Sequence, residues 1–325
     1  MPTKVEISHK TIIFTLIVLA GIWLLLQVRD ILFLLFISFI LMSAMRPIVE
    51  WLEQRKVPRI AAIVGLYIIV IGLFGGLIAG MVPTLVTQSG ILFSEIPKFF
   101  DRMFPYVSLD LTSLSQQIAP VGENIIRVTF GVFSNILGFL TVFTFTFYFL
   151  LERGNLRAIL SGLLGNGMGD RVFSILLRVE RRLGAWVLGE LVLMLFIGAL
   201  VYAGLLFFRV DFALPLAIIA GILEIVPTIG PIVSAVPAIL VAFAHSPVLA
   251  LIVIALYIVV QQIENNVVVP LVMKKSVGLP PVLTLLALMI GGRFAGVSGA
   301  ILSVPVLLTI EEIIASTTNQ AARKR

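Results

Sequence analysis

The sequence has no cysteine and very little charge of either sign. Only 12% of its 325 residues are charged. The lack of cysteine excludes disulfides and thiolate metal sites, and the two histidines, His9 and His245, form no metal-binding spacing. The formal net charge is +6, but the basic residues form no patch interleaved with aromatic residues. We therefore expect no nucleic-acid partner. No P-loop, dinucleotide or hydrolase fingerprint is present, so nothing supports an enzyme or a cofactor.

What the sequence does contain is apolar residues. They make up 60% of the chain, and the mean hydropathy is +1.15. A soluble domain of this length does not reach such values. Runs of about 20 apolar residues are long enough to cross a bilayer as helices. We therefore predict an all-α polytopic membrane helix bundle with about eight spans by hydropathy, and the lipid bilayer as its surroundings.

The predicted organisation changes along the chain. Residues 83–124 carry prolines and charges among apolar residues, which indicates amphipathic helices at the extracytoplasmic membrane surface. Basic residues concentrate in the termini, in 46–59 and in 152–182, which places these parts in the cytoplasm. The predicted parts are 1–82 with spans 1–3, the interfacial segment 83–124, span 4 at 125–151, the basic region 152–182, a transport-type half at 183–314 and a basic tail at 315–325.

Two apolar runs in the C-terminal half are too long for a single crossing. Residues 212–244 and 281–314 would each extend for about 50 Å as one helix, against a hydrocarbon core of about 30 Å. Pro227, Gly230 and Pro231 interrupt the first run, and Gly291, Gly292 and Gly296 interrupt the second. The pattern favours two broken, re-entrant hairpins, each paired with an ordinary span, as in transporters with inverted repeats. Straight spans remain the alternative.

Ionisable residues inside membrane segments are rare and indicate function. Here they are Glu190, Glu224, Glu264 and Arg293. The stretch from Gln261 to Asn266 is too polar to face lipid, and its helix must contact protein or water. The predicted substrate-binding, ion-binding or gating residues are Glu224, Pro227, Gly230, Pro231, Gln261, Glu264, Asn265, Asn266, Gly291, Gly292 and Arg293.

Two hairpin tips that meet near the midplane would combine carboxylates, amides and one fixed cation. Such a site suits a small polar or anionic solute, with a proton carried by a glutamate. Structural alternatives are an ion pair between Glu224 and Arg293 and a hydrogen-bonded clamp around Glu264. Helix rise places Glu264 in the cytoplasmic third of the membrane. We expect Glu190, near the cytoplasmic end of its span, to snorkel to the membrane surface or to pair with Arg181 or Arg182.

Three motifs give the chain its resemblance to a known family. They are Glu224-Ile-Val-Pro227-Thr-Ile-Gly230-Pro231 with Pro237, then Gln261-x-x-Glu264-Asn265-Asn266 with Pro270, then Gly291-Gly292-x-Phe294-x-Gly296-x-x-Gly299 with Pro305. The chain resembles the AI-2E family of bacterial membrane proteins over essentially its whole length.

The resemblance implies an inner-membrane transporter that forms a homo-oligomer. Family members are associated with export of a furanosyl signalling molecule used in quorum sensing, and some with sodium/proton antiport. Two positions depart from the expected pattern. Pro280-Pro281 stands where a His-Pro pair is expected, and Gly189-Glu190 where Gly-Gln is usual. The extra carboxylate puts direct transfer of the substrate in doubt.

Three functional hypotheses follow. The first is a secondary transporter that exports a small polar metabolite, with coupling to protons. The second is a sodium or potassium/proton antiporter that uses the same carboxylates. The third is a non-transporting oligomeric scaffold, for which residues 83–123 would form the docking surface.

Overall fold

The computed structural model describes residues 9–73, 75–76, 136–273 and 279–323. Within these ranges the chain is helical and has no strand, which confirms the predicted all-α membrane bundle. The predicted interfacial segment 83–124 lies outside these ranges. The helices are α1 His9–Gln27, α2 Arg29–Gln54, α3 Arg59–Leu73, α4 Ile136–Glu152, α5 Leu156–Leu164, α6 Asn166–Phe207, α7 Ala213–Leu223, α8 Ile229–His245, α9 Pro247–Ile263, α10 Val269–Met273 and α11 Pro281–Arg323.

Among the described residues, four helical stretches are long and apolar enough to cross a membrane, namely Arg29–Gln54, Asn166–Phe207, Pro247–Val272 and Val282–Ser316. Helix α2 continues through residues 46–54, into the basic stretch 46–59. The extra turns are stabilised by Arg46, which pairs with Glu50 one turn later and with Glu180 on α6. The predicted basic region 152–182 forms α5 and the first part of α6, which runs without a break into the following span.

The first long apolar run is a helical hairpin, as the sequence favoured. Helix α7 ends at Leu223, the chain turns at residues 224–228, and α8 packs back against α7. A Cβ atom on Gly230 would collide with the carbonyl oxygen of Leu223, so only glycine allows the return helix to begin this close. Gly221 likewise lets α7 approach the backbone of α6 at Met194.

The second long run also folds back on itself. Ala295 and Gly296 leave helical geometry, and Gly296 has a φ of 59°. A Cβ on Gly291 would collide with the carbonyl of Gly299, and one on Gly299 with the carbonyl of Gly291. Residues eight apart in a continuous helix are about 12 Å apart along its axis. The contact therefore requires a reversal, and the alternative of a straight 281–314 span is wrong, although its length and composition would permit one.

The described core consists of three apolar clusters, and α2 and α6 each belong to two of them. One joins α2, α3 and α4, a second joins α2, α6 and α11, and a third joins α6, the first hairpin and α9. Ser246 caps the N-terminus of α9, because its hydroxyl accepts a hydrogen bond from the Leu249 amide at 3.1 Å. Pro247 is in the first turn of the helix. Tyr257 on α9 donates to the Ser234 carbonyl at 3.3 Å and ties α9 to the hairpin.

One end of the bundle is held by ion pairs between helices, and we call it the ion-pair end. Glu180 on α6 is buried and binds both Arg46 of α2 and Arg153, which follows α4. Two arginines on either side of Glu180 join α6 to the part of α11 that follows its reversal at residues 295–296. Arg178 contacts Glu312 at 2.9 Å, and Arg182 contacts Glu311 at 2.7 Å.

Candidate functional site

Three glutamates from three different elements meet inside the bundle. Glu190 comes from α6, Glu224 from the tip of the first hairpin and Glu264 from the helical segment that follows α9. All three are buried, at 4%, 2% and 4% exposure. The carboxyl groups of Glu224 and Glu264 are within hydrogen-bonding reach of each other, and Glu190 is close enough for its charge to act on both. We call these residues the carboxyl cluster.

Local backbone irregularities position two of the three side chains. Glu224 is the first residue beyond α7, where the chain turns toward Thr228 with its φ of 69°. Glu264 begins a π-helical segment, Glu264–Val268, between α9 and α10. Pro270 lacks an amide hydrogen and cannot donate to the carbonyl four residues earlier, so the regular helical ladder is broken here. Such π segments occur frequently at functional sites.

The cluster has few polar partners. Gln261 donates from Nε2 to Glu264 Oε2 at 2.9 Å. One oxygen each of Glu190 and Glu224 is buried without a hydrogen-bond partner in the described part of the chain. Two carboxyl groups in mutual contact repel unless one of them holds a proton. The arrangement is therefore that of a cluster carrying at least one shared proton.

Within the described part of the chain, no basic side chain forms an ion pair with the cluster. Among the described residues, none of the ion pairs involves Glu190, Glu224 or Glu264. Arg293 is exposed at the tip of the second hairpin. The structural alternative of an ion pair between Glu224 and Arg293 is not found among the described residues, where the second hairpin packs mainly against α6.

The predicted site residues divide into three groups. Gln261, Glu264 and Glu224 meet at the cluster, and Pro227, Gly230 and Pro231 shape the tip beside it. Asn265 and Asn266 face outward, and Asn266 donates to the Gln262 backbone and side chain. The remaining predicted residues, Gly291, Gly292 and Arg293, lie in the second hairpin, away from the cluster.

Glu190 is the site residue that the sequence interpretation misplaced. Glu190 is buried in the cluster at 4% exposure, and none of the ion pairs found within the described residues joins it to Arg181 or Arg182. A signal was present in the sequence. Val179, Leu183, Trp186 and Glu190 repeat at helical spacing, and the first three are buried. A glutamate that continues a buried stripe points inward, not toward the membrane surface.

The cluster is not arranged as a metal centre in this state. Across the described ranges, no group of three or more His, Cys, Asp or Glu side chains is placed to hold a metal ion. A shared proton accounts for the closeness of Glu224 and Glu264 without a metal. The chemistry available to the site is therefore proton binding and, once the proton leaves, attraction of a positive charge.

Buried carboxyl groups presented by broken helices in a helical membrane bundle are typical of membrane transport proteins. Comparison with known proteins agrees. The AI-2E family transporter profile matches residues 12–319, and the chain belongs to this family of membrane transport proteins.

Two relatives illustrate how much of the chain is shared. YueF of Bacillus subtilis (strain 168) is 31% identical over 86% of this chain and 82% of its own length. YhhT of Escherichia coli (strain K12) is 27% identical over 94% of this chain and 89% of its own length. Both are named for transport, with no substrate in the name.

Proposed function

We propose that this protein is a proton-coupled secondary transporter and that the carboxyl cluster exchanges its proton for a monovalent cation such as sodium or potassium. The observation that carries the proposal is the burial of three carboxyl groups with no basic partner among the described residues. A buried charge without compensation costs several kcal/mol. Each carboxylate that loses its proton must therefore be compensated by another positive charge.

A cation satisfies this requirement better than an anionic solute does. The cluster offers carboxylate oxygens, one amide from Gln261 and two buried oxygens without partners. Hard monovalent and divalent cations prefer such oxygen ligands. An anionic solute would add to the negative charge, and Arg293, the expected counter-charge, is not at the site. Competition of protons and cations for one set of carboxylates is the simplest basis of antiport.

Export of a small polar molecule is the second candidate. The observation that favours it is the outward polar face formed by Gln262, Asn265 and Asn266 within the Pro247–Val272 stretch. Amides can donate to and accept from a neutral hydroxylated solute such as a furanosyl signal. In this case the carboxyl cluster would supply the proton coupling, and the amide face would border the solute route.

We further propose placement in a bacterial cytoplasmic membrane with both termini inside, supported by the arginines at the ion-pair end. A homo-oligomer is supported by the same outward amide face. Exposed amides inside a hydrocarbon layer lose their hydrogen bonds to water, and a neighbouring copy can replace them.

The test is proton flux in liposomes that contain the purified protein and an internal pH dye. Addition of external sodium or potassium is expected to drive protons through the wild-type protein. Glu264→Gln and Glu224→Gln should each lower the cation-driven rate at least tenfold. Glu152→Gln, a change at the exposed end of α4, serves as the control. Absence of any cation response in the wild type would reject antiport, and counterflow of a labelled polar solute would then test export.

A further inference from the structure

The tip of the second hairpin carries a cation, Arg293, that forms no ion pair with another described residue. Arg293 is exposed, and the neighbouring Phe294 is 86% exposed. The two glutamates of α11 are engaged elsewhere, since Glu311 and Glu312 bind Arg182 and Arg178 at the ion-pair end. Among the described residues, the tip therefore presents an unpaired positive charge on a hairpin that is otherwise uncharged up to Glu311.

Helix rise gives the height of this tip. Arg182 and Glu311 mark the ion-pair end, and residue 297 lies 14 residues before Glu311, which corresponds to about 21 Å at 1.5 Å per residue. The contact of Gly291 with Gly299 puts Arg293 near the same height. A hydrocarbon core is about 30 Å thick, so Arg293 lies within it. A charged side chain at such a depth requires a polar partner.

The carboxyl cluster lies at a similar height in the bundle. Glu190 is eight residues beyond Arg182, or about 12 Å above the ion-pair end. The difference in height from Arg293 is about 9 Å, comparable to the combined length of an extended arginine and glutamate side chain, roughly 6 Å and 3 Å. The sideways separation between the tip and the cluster closes only if the tip moves. Within the described residues, Glu190 and Glu224 each have a buried oxygen without a hydrogen-bond partner, so the cluster has acceptors to offer.

We propose that Arg293 is a tethered counter-cation of the carboxyl cluster. In a second state of the protein, the tip of the second hairpin moves toward the first, and the guanidinium binds the carboxylates that have released their proton. The inference rests on the proposed function in one respect, since that function identifies the transported cation as the competitor of Arg293. The docking of the tip itself does not depend on which cation is carried.

The charges that face the cluster make this pairing specific. From α6 comes Glu190, from the first hairpin Glu224 and from the π segment Glu264. Tyr257 on α9 is hydrogen-bonded to Ser234, and Arg178 and Arg182 are bound to Glu311 and Glu312. Within the described ranges, Arg293 is the cation at membrane depth that no acidic group already binds.

A distance measurement between the two hairpins tests the docking. The chain has no cysteine, so spin labels attach only at Phe294→Cys and Ile222→Cys, both exposed positions near the two tips. We expect a second population of molecules with a shorter distance between the labels. The fraction of molecules in this population should increase when the buffer changes from acidic to alkaline. Arg293→Lys should retain this population, whereas Arg293→Gln and Glu224→Gln should lose it. One unchanged distance at every pH would overturn the proposal.

Dilution of the labelled protein with unlabelled chain separates docking within one chain from docking between copies. A short distance that survives dilution supports the tethered cation, and one that disappears shows pairing between protomers and rejects it. Flux in liposomes supplies a second readout. Arg293→Gln removes the internal competitor, so its apparent affinity for external cation should be severalfold higher than that of Arg293→Lys. The control Arg181→Gln, at an exposed position on α6, should leave this affinity unaltered. The distance result stands even where no cation flux is found.

Discussion

Replacement of Glu180 should destabilise the protein strongly, because it removes the acid that binds two arginines. Glu180 is 2% exposed, accepts from Arg46 Nη1 at 2.6 Å and contacts Arg153 Nη2 at 2.8 Å. Arg153 is itself 9% exposed, so Glu180→Ala leaves its charge buried and unpaired. Loss of one partner from a buried pair costs about 3–5 kcal/mol. Arg46 retains Glu50 at 2.6 Å, so most of the cost falls on Arg153.

The free energy of unfolding in mixed micelles, measured by detergent titration, checks this magnitude. Asp170→Asn is the matched control, because Asp170 also pairs with an arginine, Arg157 at 2.8 Å, but both side chains are about half exposed or more. Exposed pairs contribute little, so the control should resemble wild type. Replacement of Glu180 and Arg153 together by methionine should recover part of the loss. Equal stability of Glu180→Ala and Asp170→Asn would refute the assignment of this triad as a stabilising contact.

The remaining predictions concern the elements that hold the site. Gly230→Ala should disrupt the first hairpin, since the new Cβ collides with the Leu223 carbonyl, whereas Gly162→Ala on α5 has open space and should be neutral; limited proteolysis and flux distinguish them. Tyr257→Phe should lower the free energy of unfolding by about 1 kcal/mol, because the hydrogen bond to the Ser234 carbonyl is lost. Tyr148→Phe, at an exposed side chain of α4, should leave the free energy of unfolding unchanged. Ser246→Ala should cost about 1 kcal/mol by removing the α9 cap, and a loss as small as that of Tyr148→Phe would contradict this.

The carboxyl cluster illustrates how far the sequence leads toward a site. Glu224 and Glu264 stood out because membrane segments tolerate few charges, and the structure brings these two together. Glu190 was visible in the same list, yet its position near a basic region suggested a pairing at the membrane surface. The rotation of α6 about its axis decides otherwise, since Glu190 continues the buried stripe of Val179, Leu183 and Trp186.

Composition and periodicity determined the class of this protein and the location of its chain reversals. Apolar runs set the helices, because lipid leaves no other partner for backbone amides. Pro227 interrupts the helix at the break of residues 224–228, and Gly296, with its positive φ, allows the break at 295–296. Glycine permits the close approaches at Gly230 and between Gly291 and Gly299, because a Cβ atom would collide there. Whether the two tips meet is a different question. It depends on which face of α6 each hairpin packs against, and contacts between distant residues decide this. Only the tertiary structure therefore separated Arg293 from Glu224 and placed Glu190 beside Glu264.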